Sequence, residues 1–272
     1  MKAIWKTTLL CGLLAVAGQA HAAPIPCTGG TLTCYIGLDL GSTDPAKDPA
    51  TNPRTNANAA HSAFAAALDP ASVKVDTFEG ATVGDSAPQF PGPLAKQSAE
   101  TTTVSGNGAT AAIKNSSTDG TQYFGRFNTT SGGSKWWETS YDFSFSLQQP
   151  VSAFGFYATD VGDFDGTLNL VLSLVGGGTL ELNDVVPDST SAANGALLFF
   201  GFSDTVRKFS GMSFRIGQTA TSPDGYDAIG FDDMTTGNLK VTDPNPVPEP
   251  ASLALAGLAL ASLAAVRRRK PA

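Results

Sequence analysis

Asp160, Asp163 and Asp165 lie close together in the run Asp160-Val161-Gly162-Asp163-Phe164-Asp165-Gly166. Carboxylates gathered on a glycine-containing loop are the donors a calcium ion takes, since Ca²⁺ fills a shell of roughly six to eight oxygens. The run is not a helix-loop-helix calcium loop, because counting from Asp163 places Leu174, an apolar residue, at the twelfth position. A second acidic group pairs Glu79, in Asp76-Thr77-Phe78-Glu79-Gly80, with Asp232 or Asp233, in Ile229-Gly230-Phe231-Asp232-Asp233-Met234. Strand alternation puts Asp232 and Asp233 on opposite faces, so one of the two is expected to join Glu79. A structural Ca²⁺ is the only cofactor these residues suggest. The competing reading is a pair of solvated acidic turns.

Trp136 and Trp137 are adjacent, flanked by Lys135 and Glu138, and follow Ser131-Gly132-Gly133-Ser134. On a strand, one indole is expected to face the core and the other to face out. An exposed aromatic face is a stacking platform for a sugar ring, and polar neighbours orient the ring. Tyr123, Arg126 and Tyr226 are candidates to join it. The competing reading buries both indoles.

Catalytic constellations are sparse. His21 and His61 are the only histidines, too few for a Ser-His-Asp triad or a histidine-based zinc site. A glycosidase needs two carboxylates across a cleft; carboxylates are plentiful, yet no Glu-x-Asp-x-x-Glu strand of the kind some glycosidases carry is present. The chain is read as a non-enzyme, with no catalytic residue assigned.

The elements that must position these groups are mostly strands. From Val73 onward, short apolar segments recur between Gly, Asn, Asp and Ser: 73–78, 109–113, 123–128, 136–147, 151–159, 168–175, 179–186, 196–202, 208–217 and 228–234. Tyr141, Phe143, Phe145 and Leu147 alternate with Asp142, Ser144 and Ser146, and Leu168, Leu170, Leu172 and Leu174 repeat the pattern. Gly176-Gly177-Gly178 joins two such segments and predicts a hairpin. About ten strands at this spacing predict an all-β fold, a sandwich of jelly-roll type. One short helix is expected at 59–68, with Ala60, Phe64, Ala67 and Leu68 on one face and Asn58 as its cap.

Both ends read as targeting segments. Lys2 and Lys6 precede an apolar run, and Ala20-His21-Ala22 fits a cleavage site, so residues 1–22 form a signal peptide. Cys27 and Cys34 remain in the exported chain, an even pair in an oxidising compartment, and are expected to form a disulfide contributing roughly 2–3 kcal/mol. They staple an N-terminal arm, 23–72, ahead of the β domain at 73–238 and a Pro-rich linker at 239–250. The uncharged run Ala251–Val266 would extend about 24 Å as a helix, short against a bilayer core of roughly 30 Å. Arg267, Arg268, Arg269 and Lys270 follow it as a positive stop that stays cytoplasmic. Two of the 17 Lys and Arg leave with the signal and four with the tail, which leaves 11 against 24 Asp and Glu. The exported part is more acidic than the −7 of the whole chain, and nucleic acid is excluded as a partner.

Pro248-Glu249-Pro250, the apolar run and the basic stop, in that order at the C-terminus, resemble the PEP-CTERM sorting signals of exported Gram-negative proteins. The resemblance implies an exosortase as processing partner, the inner membrane as a way-station, and a final place at the cell surface or in the extracellular matrix. The acidic strands around Glu79 and Asp232, with Phe154-Gly155-Phe156-Tyr157 and Phe199-Phe200-Gly201-Phe202, are similar to concanavalin-like and carbohydrate-binding-module jelly rolls and to MAM-type domains. Together the resemblances imply a structural or adhesive protein of the envelope or of an exopolysaccharide matrix. The alternatives are a lectin-like module reading sugars through Trp136 and Trp137, and a polysaccharide-degrading enzyme.

Overall fold

The structure is a computed structural model that describes residues 25–26, 30–40, 54–85, 94–99, 111–115, 125–140, 142–161, 166–186, 196–218 and 228–241. The expected signal peptide, Cys27, Tyr123, Tyr226, Asp163, Asp165, Pro248, Glu249, Pro250, the 251–266 run and the basic stop Arg267–Lys270 lie outside the described residues. In chain order the elements are β1 (Ile25–Pro26), β2 (Leu32–Leu40), α1 (Thr55–Ala67), β3 (Lys74–Asp76), β4 (Leu94–Ala99), β5 (Ala112–Asn115), β6 (Lys135–Thr139), β7 (Phe143–Val151), β8 (Ala153–Thr159), β9 (Gly166–Leu174), β10 (Thr179–Leu182), β11 (Ala196–Asp204), β12 (Phe209–Gln218) and β13 (Ile229–Gly237).

They make two antiparallel sheets. Sheet 1 runs β1-β2-β11-β8-β13-β6-β5, with β3 added on β13; sheet 2 runs β10-β9-β12-β7-β4. Sheet 2 shows the alternation expected of a sheet with one covered face. Phe143, Phe145 and Leu147 of β7, Leu168, Leu170 and Leu172 of β9, and Met212 and Phe214 of β12 enter the core between the sheets. Phe143 stacks on Phe214 with centroids 4.2 Å apart and meets Trp137 edge-on at 4.4 Å. Each such buried aromatic contributes on the order of 1.5–3 kcal/mol of burial.

Sheet 1 does not alternate. Every residue of β8 and β11 is buried, because both faces are covered. Phe154, Phe156, Leu198, Phe200 and Phe202 face sheet 2. Tyr157, Leu197 and Phe199 belong to a second cluster with Tyr35 of β2 and with Ala57, Ala60, Phe64 and Leu68 of α1 and its end. Glycines let the helix sit close. A Cβ at Gly37 would land on the carbonyl of Asn56, and Cβ atoms at Gly155 and Gly201 would crowd the Phe64 ring at 3.1 and 3.0 Å.

Several expectations change. The segment 32–40, expected within an arm, is a nine-residue strand paired along its length with β11. The 94–99 strand was not expected either, and 125–128 forms no strand. The 136–147 segment divides into β6 and β7. The helix starts at Thr55, four residues earlier than expected, so Asn58 lies inside it. Its cap comes from another element: the Asp39 carboxylate of β2 accepts from Asn56 N at 3.1 Å and Ala57 N at 2.8 Å. The Gly176–Gly178 hairpin forms as expected, closed by Leu174 N donating to Gly178 O at 3.0 Å, and all three glycines have positive φ. The compact body ends at Leu239.

Candidate functional site

The first and last strands of the β domain meet, as their acidic ends suggest. β3 pairs with β13 through Asp76 opposite Met234. The Asp76 carboxylate accepts from Phe78 N at 3.1 Å, and Phe78, at φ +56°, turns the chain so that Glu79 faces the 128–135 segment. Glu79 Oε1 accepts from Ser134 N and Lys135 N, both at 2.7 Å, and from Asn128 Nδ2 at 3.1 Å. Asp232 Oδ2 accepts from the same amide at 3.2 Å and from Thr129 N at 2.6 Å. The alternation argument for Asp233 fails. The register of β13 shifts between Asp232 and Thr235, and Asp233 sits at φ +46°. Its carboxylate therefore turns to the same loop, accepting from Thr129 Oγ1 at 2.7 Å and Thr130 Oγ1 at 2.6 Å. Burial, and then the Asp233 charge, push the Asp232 carboxyl well above the usual carboxylate range, against hydrogen bonds that pull it down.

This corner is a hydrogen-bonded latch. Its carboxylate oxygens point at N–H and O–H donors, and the Lys135 ammonium donates to the carbonyls of Glu79 (2.8 Å) and Ala81 (2.7 Å), where a cation's charge would act. The donor set does not offer calcium an open shell. Among the described residues no three His, Cys, Asp or Glu side chains are grouped to hold a metal.

Asp160 belongs to a different cluster. It is buried at the end of β8 and receives Arg126 Nη1 at 2.6 Å, while Arg126 Nε meets Glu138 Oε2 at 2.8 Å. Lys114 Nζ lies 3.6 Å from the other Glu138 oxygen, and Arg126 Nη1 also donates to Ala228 O at 3.0 Å. Arg126 is thus a buried counter-ion and no part of a sugar platform.

The indoles are corrected as well. Trp136 and Trp137 are both 0% exposed, so neither presents a stacking face. Trp137 enters the inter-sheet core beside Phe143 and Phe231. Trp136, on the other side of β6, abuts Gly230, where a Cβ would lie 3.2 Å from its ring. His61 of α1 packs against Phe199 and Tyr157 at 5.0 and 5.4 Å. Burial lowers its pKa and the Asp233 charge partly restores it. Cys34 is disulfide-bonded.

One feature escapes sequence reasoning. The outer face of sheet 2 carries a groove of about 340 Å³ with Ser144, Ser146, Ser173, Ser210 and Ser213 in its lining. Its depth comes from register: Gly211 of β12 stands between Ser146 of β7 and Ser173 of β9. Alternate serines opposite the core phenylalanines are the only sequence signal, and they are ordinary on a wet strand face.

Residues 246–270 match the family described as the PEP-CTERM protein-sorting motif. Comparison with curated proteins gives no match. Among solved structures, the chain is similar to the K2 cleaved adhesin domain of Lys-gingipain, at 15% identity over 61% of this chain and 98% of that one, with a TM-score of 0.38. It is also similar to the K1 cleaved adhesin domain of Lys-gingipain from Porphyromonas gingivalis W83, at 10% identity over 62% and 99%, with a TM-score of 0.34. The sorting motif makes this an exported protein whose C-terminal signal is addressed to an exosortase, a membrane enzyme. No helix among the described residues is long and apolar enough to cross a membrane.

Proposed function

We propose that the protein is a structural or adhesive component of the cell surface or extracellular matrix, delivered by its tail and without catalytic activity. The observation that carries this reading is the sorting motif at 246–270. The body supports it. Its most buried charged side chains serve the fold: Arg126, Glu138 and Asp160 neutralise one another, and Asp232 holds the 128–130 turn. His61, the histidine left after signal removal, is packed between aromatic rings. A two-layer body whose buried acids Glu138, Asp160 and Asp232 are engaged internally suits a load-bearing or contact-making module better than an active site.

The test is fractionation of cells with and without the exosortase gene, with intact-mass measurement of the recovered protein. The expected result is a surface or matrix form lacking the tail in the first strain and a membrane-held form retaining it in the second. Soluble cytoplasmic protein with both ends intact would overturn the reading. Loss of cell–cell or cell–matrix cohesion on deletion of this chain is expected, and turnover of matrix polysaccharide by the purified protein would replace the non-enzymatic reading.

A further inference from the structure

We propose that the end of the body from which the tail departs rests on a bilayer surface, with Val175 and Val206 entering the interface and Lys208 reaching anionic headgroups. The proposal deepens the reading above and rests on its tail-held intermediate. Register gathers the loops at this end. β2 begins there with Leu32 opposite Asp204 at the end of β11, and β13 ends there with Gly237 opposite Ala153. Hydrogen bonds tie the loops into one platform. Leu239 N donates to Ser152 Oγ at 2.9 Å, Asp204 N to Ser152 O at 2.8 Å, and Val175 N to Lys208 O at 3.0 Å. The 175–178 and 205–208 turns are therefore neighbours, at the end where the body stops at Leu239.

Single valines on a surface are ordinary. These two stand on adjoining tips and are held outward. Val206 is 75% exposed and Val175 53%. The buried Asp204 carboxylate accepts from Val206 N and Arg207 N, both at 2.8 Å, and from Arg207 Nε at 2.6 Å. Its charge is thereby met by Arg207, and the turn is fixed with Val206 in solvent. Val175 precedes three glycines of positive φ with open space around them, so the hairpin tip beyond it adds neither bulk nor charge. Lys208 is exposed beside them, and Lys74, opposite Thr236 of β13, is a second exposed cation. Asp69, on the helix side of the exit, accepts from Ala71 N at 3.1 Å. Apolar tips next to cations suit an anionic interface: methyl groups reach the acyl boundary while the ammonium stays at the phosphates.

The sequence supplies the tether. Residues 240–250 separate Leu239 from the apolar run, and eleven residues span at most roughly 40 Å. Docking is then intramolecular, so a contact too weak to hold the free body suffices while the tail is inserted. The net negative charge of the chain opposes the same contact once the tail is cut.

The experiment reconstitutes the full-length protein in nanodiscs of phosphatidylcholine and phosphatidylglycerol with brominated acyl chains, and reads contact quenching of a tryptophan placed at one position at a time. Above the wild-type background, Val206→Trp and Val175→Trp are expected to be quenched about twofold more than Leu40→Trp. Leu40, 51% exposed, lies at the opposite end of β2 and reports a wet position far from the exit. Adding Val206→Asp to the Val175→Trp protein is expected to abolish the extra quenching with an unchanged melting temperature. If that variant fails to fold, Lys208→Glu carries the same expectation. Equal quenching at the three positions, or extra quenching that survives in the folded Asp or Glu variant, overturns the proposal. A blue shift at position 206 that persists in lipid-free detergent and grows with protein concentration would make a second copy the occupant, and overturns it as well. If the wild type does not stay with the discs, the tail's hold fails and both readings fall; if it stays and positions 175 and 206 are unquenched, only this one falls.

Discussion

Single side chains in this protein act across elements. Asp39 shows it most directly. The residue before the helix, Arg54, provides no side-chain cap, and the helix N-terminus is instead closed by a carboxylate from β2. The negative charge also faces the positive end of the helix dipole. Asp39→Ala is expected to cost about 1–2 kcal/mol, read as a lowered urea midpoint, and Asp39→Asn less, since its amide oxygen still accepts one bond. Equal midpoints for the wild type and Asp39→Ala would show that the cap carries nothing. His61 sets a pH dependence of the opposite sense to a salt-bridged histidine. Its folded pKa lies below the ordinary histidine value of 6.5 because burial disfavours the cation. The unfolded chain therefore binds the proton first as pH falls, and stability is lost below about pH 6.5. His61→Gln is expected to flatten this slope between pH 7 and pH 5 in denaturant titrations. An equal slope in both proteins would place the titrating group elsewhere.

At the scale of elements, the decisive contact is α1 against the outer face of sheet 1. Phe64 sits over Gly155 and Gly201, with Phe199 beside it, and Gly37 lets the first turn touch β2. Phe64→Ala is expected to cost about 3–5 kcal/mol, and Gly37→Ala to lower the melting temperature by pushing the first turn outward. Hydrogen exchange in both variants should rise first in 55–67, ahead of sheet 2; uniform loosening of the whole body would contradict a separately docked helix. This contact also explains what could be read in advance. Sheet 2 was legible because one face is wet: Phe143, Phe145 and Leu147 alternate with small polar residues. Sheet 1 was not, because covering both faces erases the period of two. The same cause misplaced Trp136, since the expectation of one wet indole presumes one wet face. The continuous runs Phe154–Tyr157 and Leu197–Phe202 are the trace of that double covering in the chain. The meeting of Glu79 with Asp232 was legible from the two strand ends. Asp233 joining them was not, because it depends on a register shift that no residue pattern announces. The groove depends on Gly211 falling between two serines that lie 27 positions apart in the chain.

For the whole molecule, the question is what holds the body at a membrane long enough to be processed. The apolar run of 16 residues, 251–266, is short for a permanent span. Under the proposed function, its hold on a bilayer would depend on the four basic residues after it, since such side chains resist crossing and reach the interface by their long stems. Removing that charge separates retention from recognition. Replacing Arg267, Arg268, Arg269 and Lys270 by serine is expected to let the chain escape uncut into the medium, with the tail still present by intact mass. Replacing Pro248 and Pro250 by alanine, which leaves the basic stop but removes both prolines of the motif, is expected to do the reverse: the chain stays in the membrane fraction and is not cut. If both variants were processed like the wild type, neither feature of the motif would be what the exosortase and the bilayer read. A body with 24 acids and 11 remaining bases would also favour leaving an anionic membrane once cut. Release of the cut form should therefore be faster at low ionic strength, and a release rate indifferent to salt would assign the step to the enzyme alone.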